Sequence, residues 1–197
     1  MKKLSTQLVL LLISVFFLSG VSGAGTYTLI PSPPDLNDLG HYKYYTWGID
    51  WSKPASEVIT GASITFKNIY DWTVEEGDIL HVHLLDSATP GVRVGTDNQA
   101  GGDWFASQGV LIGTWTDVNG GPAHRVATLT FDIGSSYFGW LVSDNNFGFG
   151  IDPDCHYYNT GVEAKIETRS VPEPSTLLLF GCGLIGLAGF GRKKLFR

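Results

Sequence analysis

The stretches Ile79-Leu-His-Val-His-Leu-Leu85 and Phe147-Gly-Phe-Gly-Ile151 each alternate between two kinds of side chain. Successive side chains of a β-strand point to opposite faces, so this period of two predicts strands rather than helices. In the first stretch the two histidines share one face, and the aliphatic residues next to them share the other. In the second, glycines on one face predict a strand that packs on one side and is closely approached on the other.

Similar short apolar runs recur along the middle of the chain, separated by glycine-rich turn sequences such as Asn119-Gly-Gly-Pro122. The predicted strands are Thr26–Ile30, Ala62–Ile69, Asp78–Leu85, Val110–Thr116, Arg125–Ile133, Phe147–Ile151 and Val162–Thr168. Together they indicate an all-β domain over residues 25–170, an antiparallel β-sandwich of jelly-roll type. Residues 135–143 are expected to form a short helix that packs through Phe138, Leu141 and Val142.

The charge of the chain is distributed unevenly. Residues 25–171 hold 18 of the 19 acidic residues but only 7 of the 13 lysines and arginines, which gives them a formal charge of −11. Nucleic-acid binding depends on lysines and arginines that neutralise phosphates. The middle segment therefore excludes nucleic acid as a partner and favours a soluble acidic surface or the binding of cations.

The N-terminus combines Met1-Lys2-Lys3 with an apolar run over Leu8–Leu18 and with small residues up to Ala24. A charged start, a short apolar core and a small-residue cleavage zone are typical of a secretory signal peptide. The apolar run is too short to span a bilayer comfortably. We therefore interpret residues 1–24 as a signal peptide, with cleavage after Ala24 as the best fit and Gly23 or Gly20 as the alternative sites.

The C-terminus has three parts: the polar motif Val171-Pro172-Glu173-Pro174, the apolar run Leu177–Phe190, and a basic cluster of Arg192, Lys193 and Lys194. The two prolines favour an extended, accessible chain. A helix over residues 176–191 would be about 24 Å long at about 1.5 Å per residue, against about 30 Å of hydrocarbon. We predict a short transmembrane helix with the basic cluster as its cytoplasmic topological stop.

In order and spacing these three parts resemble the tails of bacterial PEP-CTERM proteins, which carry Val-Pro-Glu-Pro or a close variant, one short span and a terminal basic cluster. The resemblance implies that exosortase, an integral-membrane enzyme resembling cysteine transpeptidases, recognises Val171 to Pro174 and cleaves nearby. It also implies export through the inner membrane of a Gram-negative bacterium as a membrane-anchored precursor, then delivery to the cell surface or extracellular matrix. The resemblance covers residues 171–197 and does not extend to the domain that the tail delivers.

A candidate calcium site follows the second alternating stretch. Asp152-Pro-Asp154 comes directly after Ile151, and Asn159 comes shortly after that. Carboxylate and amide oxygens are the hard ligands that Ca²⁺ prefers, and an acidic domain raises the local cation concentration. Asp152, Asp154 and Asn159 are therefore candidate ligands of a structural calcium ion, with an ordinary Asp-Pro turn as the alternative. Apart from metal ions, no cofactor is predicted.

The histidines of the first stretch are a second candidate metal site. Because His81 and His83 share one strand face, they can bind zinc or copper if a third ligand comes from elsewhere in the fold. Asp86 and His156 are candidates for that ligand. The alternative is a pair of solvent-facing strand histidines.

The two cysteines predict no disulfide. Cys155 lies in the middle segment and Cys182 lies in the apolar run of the tail, so the two thiols are expected in different solvents. The domain must then be stabilised by its own core, helped by bound ions where it has them. Cys155 is either buried and inert or a site of attachment.

Aromatic residues are abundant in residues 25–171, which contain all six tryptophans and all eight tyrosines. Exposed rings stack on the faces of sugars, so Trp47, Trp51 and Trp104 are candidates for binding an exopolysaccharide. Buried rings would instead fill the core of the sandwich.

The sequence contains no Gly-x-Ser-x-Gly, no His-Glu-x-x-His and no phosphate-binding glycine loop. A pair of carboxylates acting as a glycosidase is the enzymatic alternative. We predict an exported, non-enzymatic surface or extracellular-matrix protein. The main alternative is a carbohydrate-binding module of β-sandwich type, stabilised by calcium.

Overall fold

The computed structural model describes residues 24–75, 77–97, 101–171 and 179–186, and these contain ten β-strands. The strands are β1 (Ala24–Leu29), β2 (Lys43–Asp50), β3 (Glu57–Asp71), β4 (Leu80–Leu85), β5 (Gly91–Thr96), β6 (Val110–Trp115), β7 (Val126–Asp132), β8 (Asn146–Pro153), β9 (Tyr157–Tyr158) and β10 (Gly161–Ser170). Two single turns of 3₁₀ helix, Pro122–His124 and Ser135–Tyr137, lie on either side of β7.

The strands form two five-stranded sheets. The first sheet has the order β1-β10-β3-β7, and the short strand β9 pairs with the end of β3. The second sheet has the order β5-β2-β8-β4-β6. Without β5 and β9, the eight remaining strands are ordered first-eighth-third-sixth and second-seventh-fourth-fifth, which is the order of a jelly roll. The predicted all-β, antiparallel architecture is confirmed.

The inner faces of the two sheets enclose one apolar core. Trp47, Leu84 and Phe149 of the second sheet belong to the same buried cluster as Phe66 and Ile166 of the first. Burying a side chain of this kind contributes about 1.5–3 kcal/mol, because its apolar surface leaves water. The period-two alternation of the sequence therefore becomes the division between an inner and an outer face of each sheet.

All seven predicted strands overlap observed strands, whereas β2, β5 and β9 were not predicted. The omission of β2 has a clear cause, since its aromatic residues look like one cluster along the sequence. In the structure Tyr45, Trp47 and Ile49 are buried, whereas Tyr44 and Thr46 are less buried, so this part of β2 follows the same alternation.

Residues 135–143 do not form the single short helix that the sequence predicts. They make one 3₁₀ turn at Ser135–Tyr137, followed by further turns. The predicted packing face is nevertheless present, because Leu141 is fully buried and Phe138 and Val142 pack against the core.

Residues Gly25–Thr168 form one compact unit. Beyond it the structure describes Val171, which is exposed, and a helix over residues 179–186. In the described part of the chain no helix combines the length and apolar character needed to cross a membrane. Several predicted features lie outside the described residues: the signal peptide up to residue 23, Pro172, Glu173, Pro174, Arg192, Lys193, Lys194 and both ends of the predicted span 176–191.

Candidate metal centre

The outer face of the second sheet brings together the two alternating stretches of the sequence. Strands β4 and β8 pair so that His81 lies opposite Asp152 and His83 lies opposite Gly150. Because the intervening Val82 and Ile151 point into the core, the histidines and the carboxylate share the outer face. Two motifs that are about 70 residues apart in the sequence therefore meet on one surface.

A loop that contains residues 103–105 covers part of this outer face. Asp103 anchors it, since its Oδ1 accepts a hydrogen bond from the Phe105 backbone N–H at 3.0 Å and its Oδ2 lies 2.9 Å from His83 Nε2. Phe105 is 2% exposed and packs directly on Gly150, where a Cβ atom would lie 2.7 Å from the phenyl ring. The predicted close approach to the glycine face of this strand is confirmed.

This loop changes the interpretation of the histidine pair. His83 is 2% exposed and pairs with Asp103, so it is not the solvent-facing histidine that one alternative predicted. His83 also does not belong to the group of potential metal ligands that contains His81. Among the described residues, His81 instead groups with Asp152 and Asp154.

His81, Asp152 and Asp154 each offer one donor atom, and these three atoms lie within 4.8 Å of one another. Asp152 is 1% exposed and Asp154 is 5% exposed. Asp152 Oδ2 accepts a hydrogen bond of 2.7 Å from the Trp104 backbone N–H. Asp152 Oδ1 and His81 Nδ1 are both buried, and neither has a hydrogen-bond partner among the described residues.

The environment of this cluster disfavours its charged forms. Burial, with Asp97 and Asp103 nearby, raises the pKa of Asp152 to about 6. Burial and the charge of Asp152 raise the pKa of Asp154 to about 7. Burial also lowers the pKa of His81 below its ordinary value. Burial therefore disfavours the charged form of all three side chains.

A second buried group lies at the end of β3. Asp71, Asp78 and Cys155 offer donor atoms within 4.8 Å of one another, and all three residues are buried. Burial raises the pKa of Asp71 to about 6. Burial, with Asp71 alongside, also raises the pKa of the Cys155 thiol above its ordinary value. Cys155 is thus a buried, free thiol, which matches the first of its two predicted alternatives.

The remaining predicted ligands have other roles. The Asn159 side chain donates from Nδ2 to the Asp35 carbonyl at 2.9 Å and accepts at Oδ1 from the Gly161 N–H at 3.0 Å. These bonds hold the turn before β10, so they do not support a place for Asn159 beside Asp152. Asp86 is exposed, and His156 stacks on Tyr158 with ring centroids 4.6 Å apart. Neither belongs to the group of potential metal ligands that His81 forms with Asp152 and Asp154.

Two of the three predicted sugar-binding tryptophans are buried. Trp47 and Trp51 are 4% and 8% exposed, because Trp47 lies on the inner face of β2 and Trp51 packs edge-on against Tyr27. Neither presents a ring face to a sugar. Trp104 is 36% exposed and stacks on Tyr44, with ring centroids 4.4 Å apart and planes at 8°.

Asp97 and Asp103 contribute to the site and were not predicted from the sequence. Both carboxylates act on the pKa of Asp152, and Asp103 also pairs with His83. The available signal was weak, since it consisted of acidic residues on either side of the glycine-rich sequence Gln99-Ala-Gly-Gly102. Asp97 follows β5 and is placed by the pairing of that strand with β2, where its N–H donates to the Tyr42 carbonyl. Asp103 is placed by its contacts with His83 and Phe105.

Comparison with known proteins identifies the tail of the chain. The family model described as the PEP-CTERM protein-sorting motif matches residues 170–193. This confirms the resemblance seen in the sequence, and it indicates a protein that exosortase sorts to the cell surface. No curated protein matches the chain.

Proposed function

We propose that this PEP-CTERM protein is an exported, non-enzymatic component of the cell surface or extracellular matrix, and that its tail is removed during delivery. Residues 1–24 direct export, residues 176–191 hold the precursor in the membrane, and the basic cluster at 192–194 fixes its orientation. The β-sandwich is the delivered domain. It lacks the catalytic motifs considered above, and its role is structural or adhesive.

The match of residues 170–193 to the sorting motif is the observation that carries this proposal. The placement of that motif fits a processing role. The compact unit ends at Thr168, and Val171, the first residue of the recognition sequence, is exposed. An enzyme acting on the motif would therefore not need to unfold the sandwich.

The test is a double substitution in the motif. We expect Pro172→Ala with Glu173→Ala to leave the precursor in the membrane fraction at full length, because the recognition sequence is lost while the apolar run is unchanged. The C-terminal mass of the protein recovered from cells measures processing directly.

A matched control replaces the same two residue types within the sandwich, at Pro122 and Glu167, both with alanine. This control should be processed as the unmodified protein is. Normal cleavage of the motif variant would contradict the recognition role of Pro172 and Glu173. Recovery of the unmodified protein with Arg197 still attached would contradict removal of the tail.

A second candidate function is a carbohydrate-binding module, and Trp104 is the observation that favours it. Its ring is 36% exposed and is held flat against Tyr44, so one side of a rigid aromatic pair is available to a sugar. The backbone of the same residue is fixed by Asp152. A pre-positioned ring loses little conformational freedom on binding.

Retention of the full chain on exopolysaccharide from its host tests this alternative. We expect Trp104→Ala to abolish retention if the candidate is right, while Trp72→Ala, which removes another exposed tryptophan, leaves it unchanged. Equal retention of both variants would exclude Trp104 as the sugar-binding residue.

A further inference from the structure

We propose that His81, Asp152 and Asp154 bind one divalent transition-metal ion, of the zinc or manganese class, on the outer face of the second sheet. The three donor atoms lie within 4.8 Å of one another, which is close enough for one ion to contact all of them. The site joins the two stretches that the sequence had suggested as separate metal sites. It adds a ligand to the proposed surface protein and does not depend on the sorting mechanism.

The unpartnered atoms of the cluster are the main argument for a bound cation. Asp152 is 1% exposed, and its Oδ2 accepts a hydrogen bond from the Trp104 N–H. Its Oδ1 has no hydrogen-bond partner among the described residues, because the side chain that interacts with Asp152 here is that of Asp97, another carboxylate. Nδ1 of His81 is buried without a partner in the described structure as well. Buried polar atoms in native proteins are normally paired, and an unpaired buried carboxylate is costly. A divalent cation would satisfy the carboxylates and the imidazole together.

The donor set determines the class of metal. Ca²⁺ is bound by oxygen ligands, whereas an imidazole nitrogen with two carboxylates suits zinc, manganese and related ions. An imidazole binds a metal through an unprotonated ring nitrogen, and Nδ1 of His81 is buried without a hydrogen-bond partner among the described residues. Three protein ligands leave a coordination position for water or for a group of a bound ligand.

The alternative group of Asp71, Asp78 and Cys155 is a weaker candidate. A thiol binds metal as the thiolate, and burial beside Asp71 raises the pKa of Cys155. Asp71 Oδ2 is also buried without a hydrogen-bond partner in the described structure, so it is the thiol and not the carboxylates that makes this group the weaker one. The test must nevertheless distinguish the two groups.

Metal titration of the full chain, purified in detergent and stripped with a chelator, tests the proposal. We expect one equivalent of Zn²⁺ or Mn²⁺ to bind and to raise the unfolding temperature, with Ca²⁺ at least about tenfold weaker. Asp152→Asn and His81→Gln should each weaken Zn²⁺ binding at least about tenfold, because each removes a ligand. The matched control is Asp86→Asn, which removes an exposed carboxylate near the end of β4 and should leave binding unchanged.

Cobalt and Cys155→Ser separate the two groups. Co²⁺ bound through nitrogen and oxygen gives no thiolate-to-cobalt charge-transfer absorption, and Cys155→Ser should bind Zn²⁺ like the unmodified chain. Thiolate absorption, or loss of binding in Cys155→Ser with retention in Asp152→Asn, would overturn the proposal. So would the absence of Zn²⁺ and Mn²⁺ binding by a chain whose circular dichroism shows the folded sandwich.

Discussion

The two faces of strands β4 and β8 are buried to a similar extent but differ in what they bury. On the inner face Val82, Phe149 and Ile151 are 0% exposed and are entirely apolar. On the outer face Asp152 is 1% exposed, yet one of its oxygens has no partner in the described structure, and the same is true of Nδ1 of His81. Burial stabilises an apolar side chain and destabilises an unpaired polar one. The inner face therefore supplies stability, and the outer face is suited to binding.

The largest effect should come from breaking the inner face. Phe149→Ala should lower the free energy of unfolding by about 3–5 kcal/mol, because it removes a buried ring that packs against Trp47 and leaves a cavity. Chemical denaturation measures the change. A typical domain is stable by about 5–15 kcal/mol, so this one substitution is expected to leave a marginal fold.

Leu111→Ala on the neighbouring strand β6 is the control, because Leu111 is 47% exposed. It should change the free energy of unfolding by less than about 0.5 kcal/mol. If Phe149→Ala were equally mild, the inner face would not be the source of stability.

An intermediate effect is expected on the outer face, at the contact between Gly150 and the covering loop. Gly150→Ala places a Cβ atom 2.7 Å from the Phe105 ring, so the ring and its loop must shift. Overpacking of this kind costs about 1–3 kcal/mol. The same shift should weaken Zn²⁺ binding, because the loop carries the Trp104 N–H that fixes Asp152.

Gly139→Ala controls for the exchange of glycine for alanine, since no atom lies within 4 Å of the Cβ position there. Denaturation and Zn²⁺ titration of the two variants are compared. Equal behaviour of Gly150→Ala and Gly139→Ala would show that the loop does not pack rigidly on the sheet.

The smallest effect should come from a solvated ion pair on the first sheet. Lys67 Nζ lies 2.6 Å from Glu163 Oε2, and both side chains are partly exposed, so water screens the pair. Lys67→Ala should reduce stability by about 0.2–1 kcal/mol, with a smaller effect in high salt. If Lys67→Ala lowered the free energy of unfolding as much as Phe149→Ala does, a solvated ion pair would matter as much as a buried ring, and burial would not explain the difference in stability.

Much of the fold was predictable because a strand with one buried face records that burial in its own sequence. The alternation in 79–85 and 147–151 is enough to identify β4 and β8 and to separate Phe149 from its glycine neighbours. Trp47 shows the limit of this reasoning. An aromatic residue suits either a core or a sugar-binding surface, and only its position on β2 shows that it is buried.

The candidate site was predictable only in parts. His81 and Asp152 were each identified as candidate ligands, but they were assigned to different metals with different partners. Sequence separation says nothing about which strands become neighbours, and the pairing of β4 with β8 is what places the two residues opposite each other. Asp97 and Asp103 gave no distinctive signal, because Asp97 depends on the pairing of β5 with β2 and Asp103 on where its loop packs.

The sequence by itself determined the tail, the acidity of the domain and its strand character, because each of these is a local property of consecutive residues. The tertiary structure alone decided which of the buried faces is apolar throughout and which collects His81, Asp152 and Asp154 around unpaired atoms. That distinction depends on strand order and on a loop folding over the sheet, and both are set by long-range packing.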